Sequence, residues 1–338
     1  MKEAGVEIIP AVPSSEFPVP SIIAAAGNKA SERFLEFFAA TIRNKNTRAA
    51  YVQAAAQFCS WCEENGLRLD TIRPLHVSAY IETKPLTAPS IKQHLASLRG
   101  LFNWLVIKQV VPDNPALFVK GPKFSRKIGV TPIMEAKEVR LLLDSIPITR
   151  RIKIARKHGG YKEVADIKGL RDRAAIAIMG YTFARVSAVV GLMCGDYRLE
   201  GKRARLRLLE KGNKEQLVWL HHEAEAYLDA YIGATGIEDG EAPLFQSLDK
   251  AHKLTGEAIS RRDMLRMVKA RCIAAGLSEA FCNHTFRGTG MTVFLSNGGS
   301  LEAAQDMANH ADPRTTKLYD RRKDLAKLSE IERRIAFE

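Results

Sequence analysis

The chain has 338 residues, 46% apolar and 26% charged, a globular composition that excludes collagen-like, disordered and disulfide-scaffold proteins. No apolar run approaches the roughly 18 residues of a membrane-spanning helix, and no basic start with an apolar core marks a secretion signal. Fifty-one Lys and Arg against 38 Asp and Glu leave a net charge of +13, split into +6 up to residue 130 and +7 after it, so a polyanion touched by both halves is the natural partner.

Residues 1 to about 28 carry Pro10, Pro13, Pro18 and Pro20 without periodicity and read as a flexible N-terminal tail. Helical spacing begins near Lys29 with Phe34, Leu35, Phe37 and Phe38. Asn46 can cap a second helix bearing Tyr51, Ala55, Phe58 and Cys62, which Gly66 ends. A third follows Pro74 through Val77, Tyr80 and Ile81. A fourth starts at Thr87 or Ser90 and stripes Ile91, Leu95, Leu98, Leu101, Phe102 and Leu105 along one face. Residues 29–119 are thus expected to form a small helical domain.

Residues 120–132 ("KGPKFSRKIGVTP") are basic, rich in Pro and Gly, and without an acid. They suit an exposed linker, or a strap along phosphates. From residue 133 a second domain is expected. It opens with a helix around Glu135 to Leu143, then a basic stretch from Arg150 to Lys157 that reads as an insertion or a helix end. Helices follow at Arg171 to Tyr181 and Val186 to Leu192. "RARLRLL" (203–209) and "EQLVWL" (215–220), joined by "EKGNK", form the clearest hairpin in the chain. Further helices are predicted over 222–234, 257–275, 286–297, 300–309 and 313–320, with a last one from about Leu325 to Ile335. The fold class is therefore mainly α with a small antiparallel β-sheet: a helical domain followed by an α+β domain.

Several chemistries find no residues to carry them. There is no phosphate-cradling Gly-rich loop with its Lys, no dinucleotide fingerprint and no acidic cluster for two magnesium ions. Five cysteines without framework spacing fit a reduced, cytoplasmic chain, and "CSWC" (59–62) lies within a helix, as a packed face rather than a metal or redox pair. One constellation remains. Arg185 stands in "TFARVSAVVGL", Lys211 in "LLEKGNKEQLVWL", His284 and Arg287 in "NHTFRGTGMT", and His310 and Tyr319 in "MANHADPRTTKLYDRR". Two guanidiniums, an ammonium and two imidazoles around one phenol, with no carboxylate among them, suit a phosphodiester. The cations would stabilise charge developing at phosphorus, and Tyr319 could serve as a covalent nucleophile. Lys214 competes with Lys211, each histidine could be a helix-end histidine, and Tyr181, Tyr197 and Tyr227 show that ordinary tyrosines are present.

Through these blocks, in this order, the chain resembles the tyrosine recombinase, or phage-integrase, family over roughly residues 31 to 335. "NTRAAYVQAAAQFCSWCEENG" and "TAPSIKQHLASLRGLFNWL" resemble more loosely its helical core-binding, SAM-like domain. The resemblance implies a C-shaped clamp on duplex DNA and a site-specific recombinase. It would act through a 3′-phosphotyrosyl intermediate, with no metal or nucleotide cofactor, in integration, excision or mobile-element movement. It also selects Lys211 over Lys214, and implies a bacterial, DNA-associated homo-oligomer on its recombination site, a tetramer in which "DLAKLSEIERRIAFE" docks in trans. Two departures stand out. The family often has an acid three residues after the first Arg, where this chain has Ala188, and a Gly before the third-motif His, where it has Asn309. A type IB topoisomerase would use similar chemistry as a monomer, and a non-catalytic regulator would lack part of the reacting set. Candidate DNA contacts are Lys45, Thr47 and Arg48 at one helix start, Lys92, Gln93 and Arg99 on the fourth helix, and Lys120 and Lys123 in the linker.

Overall fold

The computed structural model describes residues 18–123, 131–154, 160–210, 212 and 214–320. The chain divides into two compact units, Met1–Ser125 and Arg126–Glu338. The described part of the first is helical: α1 (Ser21–Ala25), α2 (Asn28–Glu36, continued by a wide turn over Phe37–Thr41), α3 (Lys45–Glu64), α4 (Pro74–Thr83) and α5 (Ala88–Ile107). Helix α1 falls where the sequence suggests a tail. Its Ile22 and Ile23 are buried in the unit's core, so burial makes a helix of a segment too short to declare itself by periodicity. The cap of α3 is Asn44 rather than Asn46, its side chain accepting from the Asn46 and Thr47 amides at 3.0 and 3.1 Å.

Phe34, Phe38, Phe58, Tyr80, Leu95 and Leu98 fill that core. Cys59 and Cys62 lie in it too, and burial pushes both thiols up, the reverse of what a reactive thiolate or metal ligand needs. Beyond α5, Val111, Ala116 and Val119 return to the same core.

The second unit opens with α6 (Ala136–Ser145) and then a two-stranded antiparallel hairpin, β1 (Thr149–Ile154) with β2 (Gly160–Ala165). The basic stretch that reads as an insertion or a helix end from Arg150 is instead a strand as far as Ile154, beyond which it lies outside the described residues. Helices α7 (Ile167–Tyr181) and α8 (Val186–Val190) lead to the antiparallel sheet β3 (Tyr197–Glu200), β4 (Arg203–Glu210) and β5 (Lys214–Trp219). Strand β3 is an addition to the hairpin read from sequence. After α9 (His222–Thr235), β6 (Gln246–Leu248) and β7 (Leu254–Ala258) form a third small sheet. The helix expected from 257 therefore starts later, as α10 (Arg261–Ala274), where Ser260 caps it. The order closes with α11 (Asn283–Ser296), α12 (Leu301–Met307) and α13 (Pro313–Lys317). The final helix expected over 325–335 lies outside the described residues.

Helix α7 is buried along most of its length, and α11 packs on it. A Cβ on Gly290 would stand 2.1 Å from the Gly180 carbonyl oxygen, so only glycine lets the two backbones close to this distance. That contact sets the face of α11 that carries His284 and Arg287. No helix among the described residues is long and apolar enough to cross a membrane.

Candidate active site

Five of the six sequence-predicted reacting residues converge in the second unit; the sixth, Lys211, lies outside the described residues. Arg185 is the N-cap of α8. His284 and Arg287 stand one turn apart on α11. His310 follows α12, and Tyr319 sits in the turn after α13, its amide donating to the Thr316 carbonyl oxygen at 3.0 Å.

The Tyr319 hydroxyl lies 2.7 Å from His284 Nε2. The Tyr319 ring packs against Phe183, Met291 and Ala308 and lies parallel to the His310 ring at 6.4 Å. A Cβ on Gly288 would meet Tyr319 Cε1 at 3.1 Å, so this glycine makes room for the phenol ring. Thr292 Oγ1 donates to the Tyr319 carbonyl oxygen at 3.1 Å. Residues 284, 288, 291 and 292 thus present a base, a gap and two supports from one stripe of α11.

Arg287 is 1% exposed. It donates from Nη1 to the Phe183 carbonyl oxygen and from Nη2 to that of Ala308, while Nε has no partner among the described residues. His310 Nδ1 lies 2.9 Å from Thr316 Oγ1. When Thr316 is the donor, the imidazole proton sits on Nε2, the tautomer that can donate to a ligand. The backbone of His310 is held from both sides by Gln305, whose carbonyl oxygen accepts from its amide at 3.1 Å and whose Nε2 donates to its carbonyl oxygen at 3.0 Å. Asn309 has φ +46°. That is the left-handed region, which Gly enters freely and Asn tolerates best among other residues, so the Asn departure preserves the turn.

Burial pushes the Tyr319 phenol up, opposed by Arg287 and Arg185. The phenol is therefore a proton donor. Burial, with Arg287 and Arg185 adding, lowers His284, so its imidazole is neutral and can accept. With the His284 proton on Nδ1, the 2.7 Å contact is a phenol donating to a base, the geometry that nucleophile activation needs. Tyr80 also meets an imidazole, His94 Nδ1 at 2.9 Å, but in the core of the first unit. Tyr181 and Tyr197 donate to the carboxylates of Glu223 and Asp229, which hold the phenol proton. Burial, aided by Arg287, Arg185 and His284, takes His310 down to about 4, and burial with Arg185 takes Arg287 down to about 10.

An acid-stability effect follows. Unfolded, both histidines titrate near 6.5; folded, both titrate lower. The unfolded chain therefore binds more protons in between, and stability is lost as pH falls from about 6.5 towards 4. Each proton contributes at most about 1.4 kcal/mol per pH unit. Melting temperatures should fall on acidification through this window, and His310→Gln should make the fall shallower. An equally steep fall in that variant would place the acid-sensitive group elsewhere.

Four supporting residues, Glu210, Thr292, Gln305 and Thr316, are not singled out by the sequence reading. Glu210, with 2% side-chain exposure, accepts from Arg185 Nη1 and, at 3.2 Å, from the Arg185 amide. The expectation of a site without a carboxylate is thereby corrected. A signal was present: the alternation of β4 buries Ala204, Leu206, Leu208 and then Glu210, an acid at an apolar position. Thr316, Thr292 and Gln305 carried no such signal.

Among the candidate DNA contacts, Lys45 and Thr47 are exposed at the start of α3, Lys92 and Gln93 are exposed on α5, and Lys120 and Lys123 are exposed beyond it. Arg48 and Arg99 have another task. Arg48 Nε donates to the Ile42 carbonyl oxygen at 2.9 Å, and Arg99 donates to those of Ala116 and Val119, tying the segment after α5 to the helix.

Two family models match the chain: the phage integrase family over residues 160–325, and the phage integrase N-terminal SAM-like domain over residues 32–109. Tyrosine recombinase XerD of Pseudomonas aeruginosa is 28% identical over 281 residues, covering 81% of this chain and 86% of the relative. The XerD of Corynebacterium glutamicum is 27% identical over 289 residues, again 81% and 86%. Among solved structures, XerH site-specific recombinase bound to palindromic difH substrate superposes with a TM-score of 0.68 at 17% identity, covering 95% of this chain and 91% of that one. A lambda integrase (75–356) dimer bound to a COC′ core site gives 0.60 at 16%, covering 85% and 93%. The matched regions include Arg185, His284, Arg287, His310 and Tyr319 on one side and the helical first unit on the other, and the chain belongs to the phage integrase family, as a tyrosine recombinase with an N-terminal SAM-like domain.

Proposed function

We propose that this enzyme cuts and rejoins duplex DNA at a specific site through a 3′-phosphotyrosyl intermediate, exchanging strands between two sites in integration, excision or mobile-element movement. The observation that carries the reading is the Tyr319 hydroxyl 2.7 Å from a neutral His284, beside two guanidiniums. Tyr319 oxygen attacks phosphorus and its proton passes to His284. Arg185 and Arg287 bind the non-bridging oxygens, with His310 donating a further hydrogen bond. The P–O5′ bond breaks, and the departing 5′-oxygen takes a proton from Lys211. No metal or nucleotide enters any step.

A nicked suicide substrate carrying the recombination site tests this. It should trap a covalent protein–DNA adduct, undiminished by EDTA. Absence of the adduct with the true site, or a requirement for metal, overturns the mechanism. Light scattering of the trapped complex reads the assembly. Four chains are expected, with the segment "DLAKLSEIERRIAFE" of each seated on its neighbour; a single chain per site overturns that assembly and favours a topoisomerase.

Lys211 gives a sharper test. Lys211→Ala should bind DNA normally and cleave slowly. A 5′-bridging sulfur should restore much of the rate, since a thiolate leaves without a proton. Failure of the sulfur to help, or its helping Lys214→Ala instead, removes Lys211 as general acid.

DNA binding is assigned to Lys45, Thr47, Lys92, Gln93, Lys120 and Lys123. Arg48 and Arg99 reach phosphate only with donors left over from their carbonyl bonds. Each Lys-to-Gln change at a phosphate contact should reduce the slope of log affinity against log salt by about 1. An unchanged slope in the Lys45, Lys92, Lys120 and Lys123 variant would mean that these residues do not face phosphate.

A further inference from the structure

We propose that Glu210 is the positioning residue of Arg185, holding one edge of its guanidinium from the end of β4 so that the other edge is presented to the scissile phosphate. The proposal rests on the phosphate-clamp reading above.

A buried carboxylate on the core face of a strand is expensive to desolvate and is retained only with a partner. Among the described residues the Glu210 carboxylate has one partner residue and binds it twice, through the backbone amide and through Nη1. The first bond fixes the N-terminus of α8 and the second fixes the Arg185 side chain. Arg185 Nε and Nη2 have no partner among the described residues, and the side chain is 29% exposed. The buried pair formed elsewhere in this unit behaves differently. Arg171, with 7% side-chain exposure, spends Nε and Nη2 on Asp172 and Nη1 on the Gln246 carbonyl oxygen, leaving no nitrogen for a ligand. Arg171 has every nitrogen engaged, whereas Arg185 is held by one edge only.

Helix α8 contributes no acid of its own. Its sequence is VSAVV, and Ala188, one turn after Arg185, is 2% exposed in the core. The support for Arg185 therefore comes from the strand, 25 residues away. Residue 210 also immediately precedes Lys211, so one side chain ties the arginine to the strand end from which the proposed general acid follows.

The test is a double-mutant cycle on single-turnover cleavage of the suicide substrate, with DNA affinity measured in parallel. Glu210→Gln keeps the shape and removes the charge. It should slow cleavage by about 10- to 100-fold, the cost of a clamp misplaced by about an ångström, while DNA affinity changes by less than about threefold. In an Arg185→Ala background the same change should have no further effect on cleavage, because Glu210 acts only through that arginine. Equal losses in both backgrounds, or a loss of affinity parallel to the loss of rate, overturn the assignment. Should Glu210→Gln fail to fold, Glu210→Asp carries the test: its retained but shorter carboxylate should lose rate in the wild-type background and none in Arg185→Ala. Wild-type chain that forms no adduct on this substrate overturns the recombinase reading itself. Wild-type adduct with unimpaired Glu210→Gln overturns Glu210 alone.

Discussion

Tyr319→Phe should form no covalent adduct and should cut no DNA, while binding its site with wild-type affinity. The change removes one oxygen. The ring that fills the gap over Gly288 and packs on Phe183 and Met291 remains, so the fold loses little more than the hydrogen bond to His284, about 1 kcal/mol. The chemistry loses its nucleophile, and knockouts of this kind cost on the order of 10⁴-fold or more. The controls are internal to the protein. Tyr181→Phe and Tyr197→Phe remove phenols bonded to Glu223 and Asp229, and both should still give adduct. A Tyr319→Phe chain that still becomes linked to DNA would show that another residue attacks. Adduct formation is read by the retarded band on a denaturing gel, and affinity by fluorescence anisotropy on an intact duplex.

Arg287→Lys is expected to cleave about 10²- to 10³-fold more slowly, although it preserves the positive charge. The guanidinium is a planar fork that serves two carbonyl oxygens, those of Phe183 and Ala308, with Nε left over as a buried donor. An ammonium on a flexible stem cannot meet all three directions at once. The variant should also melt lower, because leaving a buried carbonyl oxygen unpaired costs about 1–3 kcal/mol. Phe183 leads into Arg185 and Ala308 precedes His310 by two residues, so the same loss loosens the segments that carry two other site residues. Cleavage measured well below the melting temperature separates the two effects. Near-wild-type cleavage by Arg287→Lys would mean that the fork is not used on phosphate.

Features written locally or in residue type are legible in the sequence. The 3.6-residue spacing of Leu95, Leu98, Leu101, Phe102 and Leu105 makes α5 legible without a partner. The period-2 pattern of 203–210 makes β4 legible, and Arg185, His284, Arg287, His310 and Tyr319 suit a phosphodiester by their types and carry the family resemblance by their order. Other features depend on long-range packing. The strands of β1, β2 and β7 are largely exposed, so no buried face imposes an alternation on their sequences, and the Arg- and Lys-rich β1 reads as an insertion or a helix end. Helix α1 has five residues, below the length at which propensity speaks, and only the burial of Ile22 and Ile23 makes it a helix. Arg99 looks like a phosphate contact until the chain returns to place the carbonyls of Ala116 and Val119 against it. The site itself joins residues 25 and 35 positions apart, Arg185 to Glu210 and His284 to Tyr319. Periodicity and capping act over one or two turns, whereas a buried carboxylate meets its arginine, and a phenol its base, only where packing closes long loops.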